Sequence, residues 1–415
     1  MFAAPGREHK HQRHLFPNRW SGHGYRLPES KGDHMGPLDG VTIIELAGLG
    51  ALPYGTLKLA DMGADVIRVH PTTEVPADKP TSRTSEFDRG RRSIAVNLKS
   101  PEGVETLLRL IERADAFVEA FRPGVCERLG IGPEVALARN PKLVYGRLTG
   151  WGQEGPLAHA AGHSLNYEAI TGAIGSIGVA GQPPVPLLQV LGDFGGGGLH
   201  LAFGVVCALF EAQRSGQGQV IDSAMVDGVM SLYQVFYGMT RSGMHTGPVG
   251  TNMFDGGSPF YSVYETADGK YITAAPIEPK FFALLLEKLG LDPATLPAQY
   301  DESRWPELHD AMAAAFLTRT QAAWVELLEG SDACFAPVLT FAEAAEHPHN
   351  VARGAFVDMP EGPPQLAPVP RLSRTPGTIG TTYAYPGVDT IAVLTEFGFV
   401  ADEIDELHES GTIAW

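Results

Sequence analysis

The chain has 415 residues, long enough for two compact units, and its composition (44% hydrophobic, 19% charged) is that of an ordinary globular protein. A formal net charge of −17 disfavours nucleic acid and anionic membrane surfaces as partners. The sequence shows no uninterrupted apolar run of the roughly 18 residues a membrane span needs. Cys126, Cys207 and Cys334 form no CxxC pair. That spacing argues against a structural metal site or a disulfide framework and favours a reducing, cytoplasmic setting.

Residues 1–34 are basic, histidine-rich and broken by Gly and Pro, without helical or strand period, and are expected to be a disordered extension. Met35 is a candidate start. From Val41 the pattern alternates. Val41–Leu46 reads as a buried strand, Pro53–Met62 as a helix and Ala64–Val69 as the next strand. Ser93–Leu98 is a further strand, Pro101–Arg113 a helix with proline in its first turn, and Ala116–Ala120 and Leu143–Leu148 two more strands. This βαβ rhythm predicts an α/β fold with a mostly parallel, Rossmann-like sheet covered on both faces. A helix is predicted from Gly195 to about Arg214, then a strand at Gln219–Asp222. A second region begins near Thr251, with a hairpin of Tyr261–Glu265 and Lys270–Ala274 turning at Asp268-Gly269 and helices around 280–289 and 305–328. The Pro- and Gly-rich stretch 347–388 reads as a return linker and the last 25 residues as helix. The division expected is 1–34 extension, 35–224 large domain, 225–253 linker, 254–346 small α+β domain, 347–366 linker, and 367–415 returning to complete the large domain.

Two motifs fail on inspection. Gly48-Leu-Gly50 follows a strand and opens a helix, but a dinucleotide fingerprint needs glycine at position 53, which is Pro53, and the next strand ends in Val69-His70 without an acidic residue for a ribose. Gly162-His-Ser164-Leu-Asn166 lacks the final glycine of a nucleophile elbow and no strand leads into it.

Three residues stand out by chemistry. His163 follows Ala161-Gly162 in a loop ahead of a helix. Asp193 sits in Gly192-Asp-Phe-Gly-Gly-Gly-Gly198 at the mouth of another helix, where the dipole and free N–H groups favour an ionised carboxylate able to act as a base. Glu278 lies between Ile277 and Pro279. Taken singly, each also reads as an ordinary loop histidine, a helix cap or a surface glutamate.

The blocks Ile44-Glu-Leu-Ala-Gly48, Leu59-Ala-Asp-Met-Gly-Ala-Asp-Val-Ile-Arg68, Phe121-Arg-Pro-Gly124, Thr149-Gly-Trp-Gly-Gln-Glu-Gly-Pro156, Ala161-Gly-His163, Gly192-Asp-Phe-Gly-Gly196 and Asp255-Gly-Gly257 occur in one order along residues 36–415. In these the chain resembles the family III CoA transferases. Within them it is most similar to the branch that racemises 2-methyl-branched acyl-CoA thioesters. The resemblance implies a large domain, a smaller one, and an interlocked homodimer with active sites between the large domain of one chain and the small domain of the other. It implies His163 and Asp193 as the acid/base pair on opposite sides of the substrate α-carbon, and Glu278 as the hydrogen-bond partner of the histidine, from the same or the partner chain. It places Arg68, Arg91, Asn97, Leu98, Lys99 and Arg122 in the CoA-binding region. Arg89, Arg91 and Arg92 then look like a local basic patch for a polyanionic ligand, and the Gly192–Gly195 backbone like a source of donors for the thioester oxygen. CoA would be part of the substrate, with no separate cofactor and no metal. The alternatives are a transferase moving CoA between carboxylic acids, or a non-catalytic acyl-CoA-binding protein. The family's transferases use an aspartate nucleophile directly after the position of His163; this chain has Ser164.

Overall fold

The computed structural model describes residues 36–81, 86–359 and 362–415; the expected extension 1–34 lies outside them. The described chain divides into two compact units, one holding the chain to Thr171 with Leu188–Leu232 and Ala345–Trp415, the other Gly172–Leu187 and Tyr233–Ala344.

The larger unit is built on β1 (Thr42–Leu46), α1 (Ala51–Asp61), β2 (Asp65–His70), β3 (Arg91–Val96), α2 (Pro101–Ile111) and β4 (Ala116–Glu119). Short helices α3 (Val125–Arg128) and α4 (Pro133–Arg139) lead into β5 (Val144–Thr149) and α5 (Ser164–Ile170). A π-helical segment (Val190–Leu199) runs on into α6 (His200–Ser215), followed by β6 (Gln219–Ala224) and α7 (Met225–Leu232). Strands β1 to β5 are almost wholly buried because both faces of the sheet are covered there. Ile43 and Ile44 are both fully buried, yet Ile43 packs with Leu52, Val66 and Leu201 on one face and Ile44 with Ile67, Leu107 and Ile111 on the other. α2 starts cleanly because Ser100 Oγ accepts the Gly103 N–H at 3.0 Å and Pro101 fills the first turn.

The sheet order is β12-β3-β2-β1-β4-β5-β6, all parallel except the edge strand β12 (Ile413–Ala414), which pairs antiparallel with β3. The C-terminal region therefore completes the sheet, as expected. The last 25 residues are more than helix: α14 (Thr390–Glu396) and α15 (Ala401–Glu409) deliver β12 to the edge. Strand order reverses at β1/β4, so a crevice opens there beyond the strands' carboxyl ends.

The smaller unit contains α8 (Gln234–Arg241), an antiparallel sheet of β7 (Ser262–Glu265), β8 (Tyr271–Ala274) and β9 (Phe335–Pro337), and α9 (Pro279–Leu289), α10 (Trp305–Phe316) and α11 (Gln321–Leu328). Gly269, at φ +71°, makes the expected hairpin turn. Phe260, Tyr264, Leu285, Trp305, Phe316 and Trp324 form its core. The stretches read as linkers carry structure: α7 and α8 occupy 225–241. Beyond α12 (Phe341–Glu346), α13 (Pro348–Ala352) and the pair β10 (Phe356–Val357) and β11 (Gln365–Leu366) fall within 347–366.

One helical rod, Val190–Ser215, is long and apolar enough by length and composition to cross a membrane. The helix expected from Gly195 to about Arg214 thus begins earlier, at Val190. In the fold one side of it, through Leu201, Ala202, Val205, Ala208 and Leu209, is core of the larger unit.

Candidate active site

The crevice at the strand-order reversal is a cleft of about 810 Å³. The chain segments leaving β1, β4 and β5 supply Leu46–Ala51, Ala120–Pro123 and Leu148–Trp151, and Ala160–His163, Tyr167, Gln189 and Asp193 close it. His163 and Asp193, 30 positions apart by number, thus share one cleft.

His163 stands at the N-cap of α5, exposed, with its backbone N–H donating to Asn166 Oδ1 at 3.0 Å. The glycine before it is forced by packing: a Cβ on Gly162 would lie 2.7 Å from the Tyr167 ring and 3.1 Å from Trp151. The Tyr167 hydroxyl donates to the Gly162 carbonyl, and the Tyr167 ring meets Trp151 edge-on at 4.7 Å. Burial, reinforced by the Asp193 carboxylate, raises the Tyr167 pKa, so it serves here as a neutral donor.

Asp193 is half-buried in the first turn of the π-helical segment. Its carboxylate approaches the start of α1, where a Cβ on Gly50 would be 3.0 Å from Oδ2. Its pKa is raised, first by burial and then by the negative charge of Glu168, with His163 acting in the opposite direction. Desolvation and a neighbouring carboxylate set the direction of this shift.

The glycine run does something other than expected. The Gly192 N–H donates to Glu168 Oε1 at 2.8 Å, the Asp193 N–H to Ser164 Oγ at 3.2 Å and the Phe194 N–H to the Gln189 carbonyl at 3.2 Å. These donors are consumed internally and are not presented to a ligand. The Gly195 carbonyl bonds the His200 ring at 2.8 Å, and neither Gly192 nor Gly195 lines the cleft. The glycines instead let three helical segments touch backbone to backbone. A Cβ on Gly198 would lie 2.4 Å from the Ala51 carbonyl oxygen, and one on Gly228 of α7 would lie 1.9 Å from that of Gly196.

Each arginine of the expected basic patch sits in an ion pair. Arg68, on the inner strand β2, donates to Asp88 at 2.8 Å and to the Gly48 carbonyl at 2.6 Å. Arg91 is buried against Glu45 at 3.5 Å and donates to the Pro53 carbonyl. Both brace the 48–53 turn behind the cleft wall. Arg89 is buried on Asp61 at 2.8 Å, and Arg92 pairs with Asp65 and Glu396. Asn97, Leu98 and Lys99 follow β3 and do not line this cleft: Asn97 Oδ1 accepts the Lys99 N–H at 3.1 Å, and Leu98 packs on the core. Among the described residues, Arg122 is the arginine that lines it. Its loop is held by Glu119, fully buried, which accepts the Phe121 N–H at 2.6 Å and Arg147 Nε at 3.1 Å.

Glu278 belongs to the smaller unit, exposed at the N-cap of α9 beside Cys334, whose thiol pKa is raised by burial and then by that carboxylate. The turn before it is clamped: Gln299 Nε2 donates to the Pro276 and Ile277 carbonyls at 3.0 and 2.8 Å, and the Tyr300 hydroxyl to Ile277 at 2.5 Å.

A family model described as CoA-transferase family III matches residues 38–390. The chain belongs to CoA-transferase family III. It is 45% identical over 374 residues to the alpha-methylacyl-CoA racemase of Mus musculus, covering 89% of this chain and 96% of that one. The alpha-methylacyl-CoA racemase of Homo sapiens is 41% identical over 379 residues, covering 91% and 97%. A solved CAIB/BAIF family protein from Brucella suis superposes with a TM-score of 0.74 at 26% identity, over 88% of this chain and all 100% of its own. Sequence reasoning missed Tyr167, Gln189 and, above all, Glu168 in this family III site. A buried glutamate one turn after Ser164 carries no signal without knowledge of what α5 packs against.

Proposed function

We propose that this chain interconverts (2R)- and (2S)-2-methylacyl-CoA thioesters, with His163 and Asp193 as the two acid/base groups. The observation that carries the reading is their convergence on one cleft, in a chain 45% identical to a protein named alpha-methylacyl-CoA racemase. One group removes the α-proton from one face. The electron pair passes into the thioester carbonyl to give an enolate, and the other group delivers a proton to the opposite face. The two exchange protonation states with direction, and the step is complete without a further redox or metal centre. A positioned base contributes about 10²–10⁴-fold. Asp193, with its raised pKa, is a stronger base than an ordinary aspartate and a competent acid in the reverse direction.

The developing enolate oxygen needs donors that the glycine run does not supply. The start of α1, where Gly50 gives no side-chain cap and Leu49–Ala51 line the cleft, offers backbone N–H groups without intrahelical partners. Arg122 is assigned to the CoA moiety, and Glu278 to the histidine. A second copy is assigned to the apolar stripe Leu199, Phe203, Val206 and Phe210, exposed at 50, 70, 40 and 62% along one side of the long rod. The unpaired cysteines support a cytoplasmic site of action.

The transferase reading is disfavoured by Ser164, which is 4% exposed and has its Oγ engaged by Glu168 at 2.7 Å and the Asp193 N–H at 3.2 Å. It is not poised as a nucleophile. The test is stereochemical analysis after incubation with each pure 2-epimer, with and without a free carboxylic acid. Both epimers should converge on one mixture with no new thioester. Retained configuration with a new acyl-CoA would reverse the two readings.

A further inference from the structure

Glu168 is fully buried, and its Oε1 accepts both the Ser164 hydroxyl at 2.7 Å and the Gly192 N–H at 2.8 Å. Ser164 Oγ in turn accepts the Asp193 N–H at 3.2 Å. The two residues flanking the peptide that carries Asp193 are thus tied to α5, one directly and one through the serine. Glu168 Oε2 is buried with no hydrogen-bond partner among the described residues. A glutamine would satisfy the same two donors without burying a charge, so a carboxylate here is costly to the fold and informative about the site.

We propose that Glu168 is a positioning residue for Asp193, fixing the backbone from which that carboxylate projects and setting a second, buried carboxyl group behind it. This rests on the racemase reading for its consequence in catalysis but not for its electrostatics. The charged and titratable groups facing Asp193 are Glu168 and Tyr167 of α5, His163 at its N-cap, and Arg122 across the cleft. The start of α1 adds its dipole. Of these, Glu168 is the negative charge that raises the Asp193 pKa, after burial itself. Ser164 fits the same scheme: its neutral hydroxyl ties the Glu168 carboxylate to the Asp193 N–H, where an aspartate would add a third carboxylate.

The test is a titration of Asp193 in carboxyl-¹³C-aspartate-labelled protein, its signal assigned by loss in Asp193→Asn. In Glu168→Gln the Asp193 carboxyl should titrate at lower pH than in the parent, and the acid limb of kcat/KM should move the same way. kcat should fall roughly tenfold with KM nearly constant. An unmoved Asp193 titration in folded Glu168→Gln overturns the proposal. Ser164→Ala breaks the bridge and keeps the charge; kcat should drop severalfold with the titration nearly in place, and an unchanged kcat overturns the positioning role. If the parent proves to exchange no α-proton, the racemase reading falls, while the Asp193 titration still decides this proposal.

Discussion

His163 and Asp193 line one cleft but are held in opposite ways. His163 sits exposed at the start of a seven-residue helix, fixed through its backbone to Asn166, in a turn shaped by Tyr167 and Trp151. Asp193 is half-buried in a segment locked by glycine contacts on one side and by Ser164 and Glu168 on the other. The contrast is chemically useful. An ordinary carboxylate and an ordinary imidazole differ by about 2.6 units in pKa, roughly 3.9 against 6.5. Asp193 holds its proton more tightly than an ordinary carboxylate, which suits a group that must act as base in one direction and acid in the other.

Removing either side should give the largest effect. His163→Ala and Asp193→Ala should each lower turnover by at least about 10² in a racemisation assay, and near-normal turnover in both would remove the pair from the mechanism. Next comes the brace on the aspartate side. A Cβ on Gly192 would lie 2.4 Å from Ser164 Oγ and 2.8 Å from Glu168 Oε1. Gly192→Ala should therefore cost about 1–3 kcal/mol of stability and displace Asp193, visible as a fall in both melting temperature and kcat. The same substitution at Gly175, which has open space, serves as control. On the histidine side, Glu278→Gln should cut kcat by roughly tenfold or less, a smaller loss than His163→Ala; a loss as large as that of His163→Ala would make Glu278 an acid/base group itself.

The smallest effect is on stability. The Asp193 pKa is raised in the folded state, so the fold disfavours its charged form. That penalty is present above the folded pKa and vanishes as pH falls below the unfolded value of about 3.9. Asp193→Asn should therefore raise the melting temperature slightly at pH 7 and leave it unchanged at pH 3. A lower melting temperature at pH 7 would show that the carboxylate stabilises the fold instead.

Much of this was legible in the sequence. The βαβ rhythm announced the parallel sheet, because strands covered on both faces carry neighbouring apolar residues, as at Ile43 and Ile44. The Asp268-Gly269 turn announced its hairpin. The ordered blocks from Ile44 to Gly257 could be read as a family likeness, and they led to His163 and Asp193. What could not be read was set by tertiary contact. Glycines at 192–198 look like a ligand-binding loop, and only the approach of α1 and α7 shows that they are packing positions. Arg89, Arg91 and Arg92 look like a phosphate-binding patch until Asp61, Glu45 and Asp65 are seen beside them. Glu168 gives no periodic or motif signal, since its importance lies in burial against a segment 24 residues away.

The central claim is that a proton leaves one face of the substrate α-carbon and another arrives on the opposite face, through two different side chains. Proton NMR of (2R)- and (2S)-2-methylacyl-CoA in D₂O with the enzyme measures this directly. The account predicts that the α-proton signal of each epimer disappears and its methyl doublet collapses as deuterium enters, while both samples approach the same diastereomeric mixture. Retention of the α-proton and of configuration in both, across several chain lengths, would contradict it.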